Sequence, residues 1–299
     1  MNENMLKQKR IIGFSLGIFL IIVELVAFAI SFVLKKMNII TQNNINLVTY
    51  IINAISIYVI GYGILKVTLR NIETSPKKEK TKIRFSEILL LICITIGSGQ
   101  IVNIITQIII SSFKMLFNIQ INNNVTNLLQ ESNPLYMIIF AAILGPIMEE
   151  LIFRKTLMEK LRIYGDKTAI IYTSIAFGLF HCNLAQIPYA IAVGCILGYA
   201  KVKTNSITVP ILLHIIINSL SVILMIALKR TSWIAMILIM LFILTCVVLT
   251  LVFIPIKLSK KEVQIENESN YEKKGLYKNI GYIFSVIAIV IITIVSSIG

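Results

Sequence analysis

Seven residues between positions 149 and 218 have the types and spacings of a hydrolytic site. Glu149, Glu150 and Arg154 stand in EELIFR, Phe177 and His181 in FGLFH, and His214 and Asn218 in HIIIN. On a helix, residues four apart share a face, which pairs Glu150 with Arg154, Phe177 with His181 and His214 with Asn218. Arg154 can therefore neutralise Glu150 and act as an electrostatic support, while Glu149, turned about 100° away, is left for chemistry. Phe177, one turn before His181, can fix the imidazole ring.

One carboxylate, two imidazoles and an amide can be arranged to split water. Glu149 would act as general base on a water also held by His181. His214 and Asn218 would donate hydrogen bonds to the oxyanion of a tetrahedral intermediate formed from a peptide carbonyl. Glu149, His181 and His214 could instead hold zinc, with an open position for water. HExxH, the sharp signature of soluble metalloproteases, is absent, and sequence does not separate a zinc mechanism from bare Glu/His catalysis.

The surroundings of these residues are apolar. The chain has 299 residues, 57% hydrophobic and 14% charged, with a mean hydropathy of +0.87, beyond an ordinary soluble domain. Nine stretches have the composition of membrane spans, at 11–34, 47–69, 85–110, 135–158, 168–184, 186–202, 206–228, 232–256 and 279–298. Because the fifth and sixth are short and poorly separated, the expectation is an all-α polytopic membrane protein with eight or nine spans. Span one is too long for a signal-peptide core of about 7–15 residues. Charged groups at mid-bilayer cost about 2.5–3.5 kcal/mol and mark functional sites by default. Both histidines of the chain, His181 and His214, fall in spans.

Spacing predicts that the motifs meet. Glu149 precedes Gly165 by 16 residues and His181 follows it by 16, while KLRIYGDK (160–167) reads as a hairpin turn. At 1.5 Å per residue both lie about 24 Å from that turn, at one height on antiparallel neighbours.

Positive charge orients the chain. With the N-terminus inside, 21 Lys/Arg flank the cytoplasmic ends and five the other side, as the positive-inside rule requires. The net charge of +14 thus follows from topology and needs no nucleic-acid partner. Segments 70–84 and 257–278 read as cytoplasmic linkers and 121–134 as an outer loop. Cys93, Cys182, Cys195 and Cys246 stand singly in spans as packing residues. Glu24, mid-way along span one, has no partner legible in the sequence and is not assigned to the site.

EELIFR, FGLFH and HIIIN, in this order and each on its own span, resemble the EExxxR, FxxxH and HxxxN motifs of the CPBP intramembrane protease family, which includes the CAAX prenyl endopeptidases and the bacterial Abi, bacteriocin-processing proteins. The resemblance implies an α-helical intramembrane endopeptidase with a four-helix catalytic core at 135–228. It places Glu149, Glu150, His181, His214 and Asn218 around the catalytic water, and it leaves metal dependence open. Segments 1–134 and 229–299 would flank this core. The expected partners are the lipid bilayer and a membrane-associated peptide or protein, such as a bacteriocin or signalling-peptide precursor, in a bacterial plasma membrane.

Two other readings compete. A non-proteolytic scaffold or immunity protein would keep the fold and bind another membrane protein, but such a module could discard these costly polar groups. A proton-coupled transporter would also use buried Glu and His, yet the chain has no internal repeat of the kind such transporters carry.

Overall fold

The computed structural model describes residues 3–76, 78–118, 132–259, 265, 276 and 279–298. Most of the expected outer loop at 121–134 and nearly all of the linker at 257–278 lie outside the described residues. No strand occurs among the described residues, and each of the nine apolar stretches is a helix. These are α1 (Glu3–Lys36), α2 (Ile45–Leu69), α3 (Phe85–Phe117), α4 (Pro134–Tyr164), α5 (Asp166–Phe180), α6 (Ile187–Thr204), α7 (Thr208–Lys229), α8 (Trp233–Ser259) and α9 (Ile280–Ile298).

Helix number and crossing number differ. Six of the nine (α1, α2, α3, α4, α7 and α8) are long and apolar enough to cross a membrane. The 15 residues of α5 rise only about 22 Å, short of a hydrocarbon core about 30 Å thick. Together α5 and α6 form a hairpin that opens and closes on one side and turns around at 181–186, within the depth of the longer helices. The exposed apolar side chains of α8, among them Ile237, Leu241, Leu244 and Val248, require lipid as their solvent.

Two hydrophobic clusters hold the helices together. One joins Leu16 and Phe19 of α1 to Leu65 of α2, Phe153 and Leu157 of α4 and Phe177 of α5. The other joins Leu91 of α3, Leu197 of α6, Ile217 of α7 and Cys246 of α8. The first cluster crosses residue 134, so the segments expected to flank the core are packed into it.

Gly165 makes the α4–α5 turn. Its φ of 100° lies where side-chain-bearing residues are strained, and its N–H bonds to Arg162 O at 2.9 Å. Arg162 then grips Asp166 with Nε to Oδ1 at 2.6 Å and Nη2 to Oδ2 at 3.2 Å, and gives Nη1 to Asn205 Oδ1 at 3.1 Å. One guanidinium thus gathers the end of α4, the start of α5 and the residue after α6.

The segment 70–84 is strapped onto the same end of the bundle. Lys160 Nζ donates to Ile72 O at 2.6 Å, Lys78 Nζ to Asp166 Oδ2 at 3.4 Å, Asn205 Nδ2 to Glu79 O at 3.0 Å and Thr81 N to Thr204 O at 3.0 Å. The segment is therefore held mainly through its backbone, with Lys78 as a charged side chain that reaches the bundle. Replacing Asp166 by Ala is expected to destabilise the protein by about 3–5 kcal/mol, because Arg162 keeps its burial and loses its counter-charge. Chemical unfolding in detergent checks this, and an unchanged midpoint would contradict the clamp.

Candidate active site

The site forms where α4, α5, α6 and α7 meet, and its base is an ion pair sealed from solvent. Arg154 Nη1 donates to Glu150 Oε1 at 2.9 Å, one turn back along α4, and both side chains are fully buried. Arg154 Nη2 donates to Gly194 O on α6 at 3.1 Å, and its guanidinium carbon lies 4.6 Å from the centre of the Phe177 ring. A β-carbon at residue 194 would stand 3.2 Å from both Arg154 Nη2 and Phe177, so glycine lets α6 approach this closely. Sequence reasoning missed Gly194, since an apolar helix gives no sign of which glycine a neighbouring guanidinium requires.

His214 of α7 docks on the same carboxylate. Its Nδ1 lies 2.9 Å from Glu150 Oε1, the oxygen that also accepts from Arg154. An ionised carboxylate only accepts, which assigns a proton to Nδ1; the tautomer with its single proton there keeps a lone pair on Nε2. That Nε2 faces Glu149 Oε2 at 3.7 Å. Oε2 of Glu149 is shielded from solvent and has no hydrogen-bond partner in the protein.

Phe177 separates the two imidazoles and orients both. Its ring meets His181 edge-on at 5.1 Å and His214 at 5.5 Å, while Phe153 braces it at 5.3 Å. His181 caps α5, its N–H bonded to Gly178 O at 3.2 Å, and its ring lies within electrostatic reach of Glu149 and His214. The equal-height expectation for Glu149 and His181 thus agrees with the hairpin.

Asn218 has another task. Its Nδ2 donates to Ala141 O on α4 at 3.0 Å. Here α4 is wound in wide turns over Met137–Leu144, where a carbonyl looks for the N–H five residues on. For Ala141 that residue is Pro146, which has no N–H, and inside a membrane an orphaned carbonyl must find a donor on a neighbour. The oxyanion role expected of His214 and Asn218 competes with these bonds: His214 Nδ1 is committed to Glu150, and Asn218 Nδ2 gives one of its two N–H donors to Ala141.

Glu150, Arg154, Phe177, His181 and His214 are thus brought together around Glu149, with Asn218 one turn along α7. Glu24 lies apart, on an exposed face of α1. An open hollow of about 490 Å³ on α3, lined by Asn103, Gln107 and Ser111 among others, includes none of these residues. Among the described residues no three His, Cys, Asp or Glu side chains converge as a metal-binding group. Glu149, His181 and His214, the set weighed for zinc, do not converge as three ligands here, while the bond of His214 Nδ1 to Glu150 leaves Nε2 as the ring atom that could coordinate.

Comparison with known proteins covers the segment that carries these residues. Residues 131–220 match the family described as type II CAAX prenyl endopeptidase Rce1-like, a segment that contains all seven motif residues. The putative membrane peptidase YdiL of Bacillus subtilis (strain 168) is 35% identical over 91 residues, 29% of this chain and 36% of that protein. The membrane-embedded CAAX protease MroQ of Staphylococcus aureus (strain USA300) is 34% identical over 93 residues, 29% of this chain and 38% of that protein. The chain thus spans little more than a third of the length of these curated relatives. No solved structure matches significantly. The CPBP resemblance carried by the three motifs is borne out over this segment.

The ion pair has a measurable signature. Arg154→Met alone is expected to cost about 3–5 kcal/mol, because it strands a buried carboxylate, and combining it with Glu150→Gln should restore a large part of that loss. Unfolding of both variants in detergent checks the pair, and additive losses would contradict it.

Proposed function

We propose that this chain is an intramembrane endopeptidase that hydrolyses a peptide bond in a membrane-associated peptide or protein. One observation carries the reading: a shielded carboxylate oxygen, Glu149 Oε2, without a protein partner, facing the Nε2 of His214 at 3.7 Å. A buried acceptor beside a second acceptor calls for a molecule with two protons to give, which water supplies.

Glu149 takes one proton of that water as its oxygen attacks the scissile carbonyl carbon, and His214 Nε2 accepts the other in a hydrogen bond that aims the oxygen. A C–O bond forms and the carbonyl π pair moves onto oxygen. His181, on the far side of Phe177, donates to this oxyanion, and the second N–H of Asn218 is a further donor. When the C–N bond breaks, the proton on Glu149 passes to the departing amine. No step is routed through a metal ion.

The substrate class rests on fewer supports. The relatives named above are a membrane peptidase and a CAAX protease, both bacterial, which favours a bacterial plasma membrane and a short membrane-bound substrate. Processing of a bacteriocin or signalling-peptide precursor, or self-immunity, is the physiological role we propose. With the N-terminus cytoplasmic, as the 21 to five division of basic residues supports, Glu149 lies nearer the cytoplasmic face and the site takes water from that side. The core at 135–228 supplies the chemistry, and the segments on either side shape access to it.

The test is cleavage of single-span and prenylated CAAX peptides by purified protein in proteoliposomes. Glu149→Gln and His181→Ala are each expected to lose about 10²–10⁴-fold in rate, the usual contribution of a positioned acid–base group. A chelator is expected to leave the wild-type rate unchanged. Cleavage that survives Glu149→Gln would overturn the mechanism, and loss of activity on chelation would reinstate a metal. Absence of cleavage across the panel would favour the scaffold.

A further inference from the structure

Tyr58 belongs to α2, outside the segment that matches the family and outside the three motifs, yet α2 delivers it to Glu149. Along its length α2 runs parallel to α4 and is pinned to it on either side of Tyr58. Eight residues earlier, Tyr50 stacks on Phe140 with ring centres 5.2 Å apart. Four residues later, the Tyr62 hydroxyl meets Thr156 Oγ1 at 3.2 Å. Between these anchors, α2 is wound in wide turns over Ile55–Gly61, the kind of local winding that gathers at functional sites.

The meeting point is the bare α-carbon of Gly145. A β-carbon there would stand 3.5 Å from the Tyr58 hydroxyl and 3.8 Å from Glu149 Oε1, so both oxygens flank one small space that a side chain would fill. The charge of Glu149 acts on Tyr58 across it. Position along the helix makes the same point. Tyrosines of membrane helices concentrate at the interfaces, where the hydroxyl reaches water. Tyr58 instead sits 13 residues from the start of α2 and 11 from its end, where a hydroxyl needs a partner of its own.

We propose that Tyr58 is a positioning residue for Glu149: its hydroxyl is the donor to the Oε1 side of the carboxylate and keeps Oε2 aimed at the water and His214. This rests on the hydrolytic reading of the site and adds to it a group from α2. The consequence is that the segment before the core contributes to catalysis directly.

The experiment uses the full-length protein in proteoliposomes with the same single-span and prenylated peptides. Tyr58→Phe, which keeps the ring and removes the hydroxyl, is expected to lower kcat about ten- to a hundredfold, the scale of a misdirected catalytic group. KM and the unfolding midpoint should stay unchanged. The same substitution in a Glu149→Gln background is expected to add nothing, since the group it positions is already disabled. Tyr62→Phe, which removes the hydroxyl bonded to Thr156, should retain kcat. A Tyr58→Phe enzyme with wild-type kcat, or one whose loss is as large in the Glu149→Gln background, overturns this inference and leaves the hydrolytic reading standing. A wild-type protein that cleaves none of the peptides overturns both.

Discussion

A carboxylate cannot stay ionised inside a membrane without a counter-charge, and the rest of this site follows from how Glu150 is given one. An unpaired charge at mid-bilayer costs about 2.5–3.5 kcal/mol even on the mildest scale. Arg154 removes that burden and in doing so occupies a fixed place. Its second amino group needs an acceptor, which is Gly194 O, and its face needs a ring, which is Phe177. Because Glu150 is neutralised and immobile, its Oε1 can also hold His214 by Nδ1. That bond turns Nε2 toward Glu149, so the shielded Oε2 of Glu149 is the carboxylate oxygen that faces the free side of the imidazole, at 3.7 Å. Two adjacent acids of the same type thus receive different tasks from their environments alone.

A second constraint sets the height of the site. The α5–α6 hairpin is held at its base by Arg162, Asp166 and Asn205, and α5 has only 15 residues. It therefore ends inside the depth of the longer helices, with His181 at its tip. A helix that crossed fully would carry the imidazole on its flank, whereas one that stops presents the ring at a turn. The strap at 70–84 closes the base from outside, so the linker between α2 and α3 braces the α5–α6 hairpin.

Much of this was legible in the residues. The four-residue spacing of Glu150 and Arg154 predicted their pairing, and the equal distances of Glu149 and His181 from Gly165 predicted that the two lie within electrostatic reach of one another. Both are consequences of helical periodicity, which needs no tertiary information. The nine helices were legible from hydropathy for the same reason. What stayed hidden depends on contacts between distant segments. The bond of Asn218 follows from a wide turn that denies Ala141 a donor at Pro146, and no local pattern announces that winding. The shortness of α5 was blurred because apolar residues continue past His181 toward α6. Charges in 70–84 read as a solvated run, since the partner of Lys78, Asp166, is far off in sequence. Tyr58 was overlooked because a tyrosine in a span looks like packing until its neighbour is known.

The central claim is that Glu150, fixed by Arg154, holds the proton of His214 on Nδ1 and leaves Nε2 open toward Glu149. The chain has two histidines, so a ¹⁵N-histidine spectrum of the protein in lipid contains two ring systems, and a His181→Gln sample identifies which is His214. The account predicts a proton on Nδ1 of His214 and none on Nε2, and loss of that preference when Glu150 is changed to Leu. A proton found on Nε2, or a tautomer indifferent to Glu150, would contradict it.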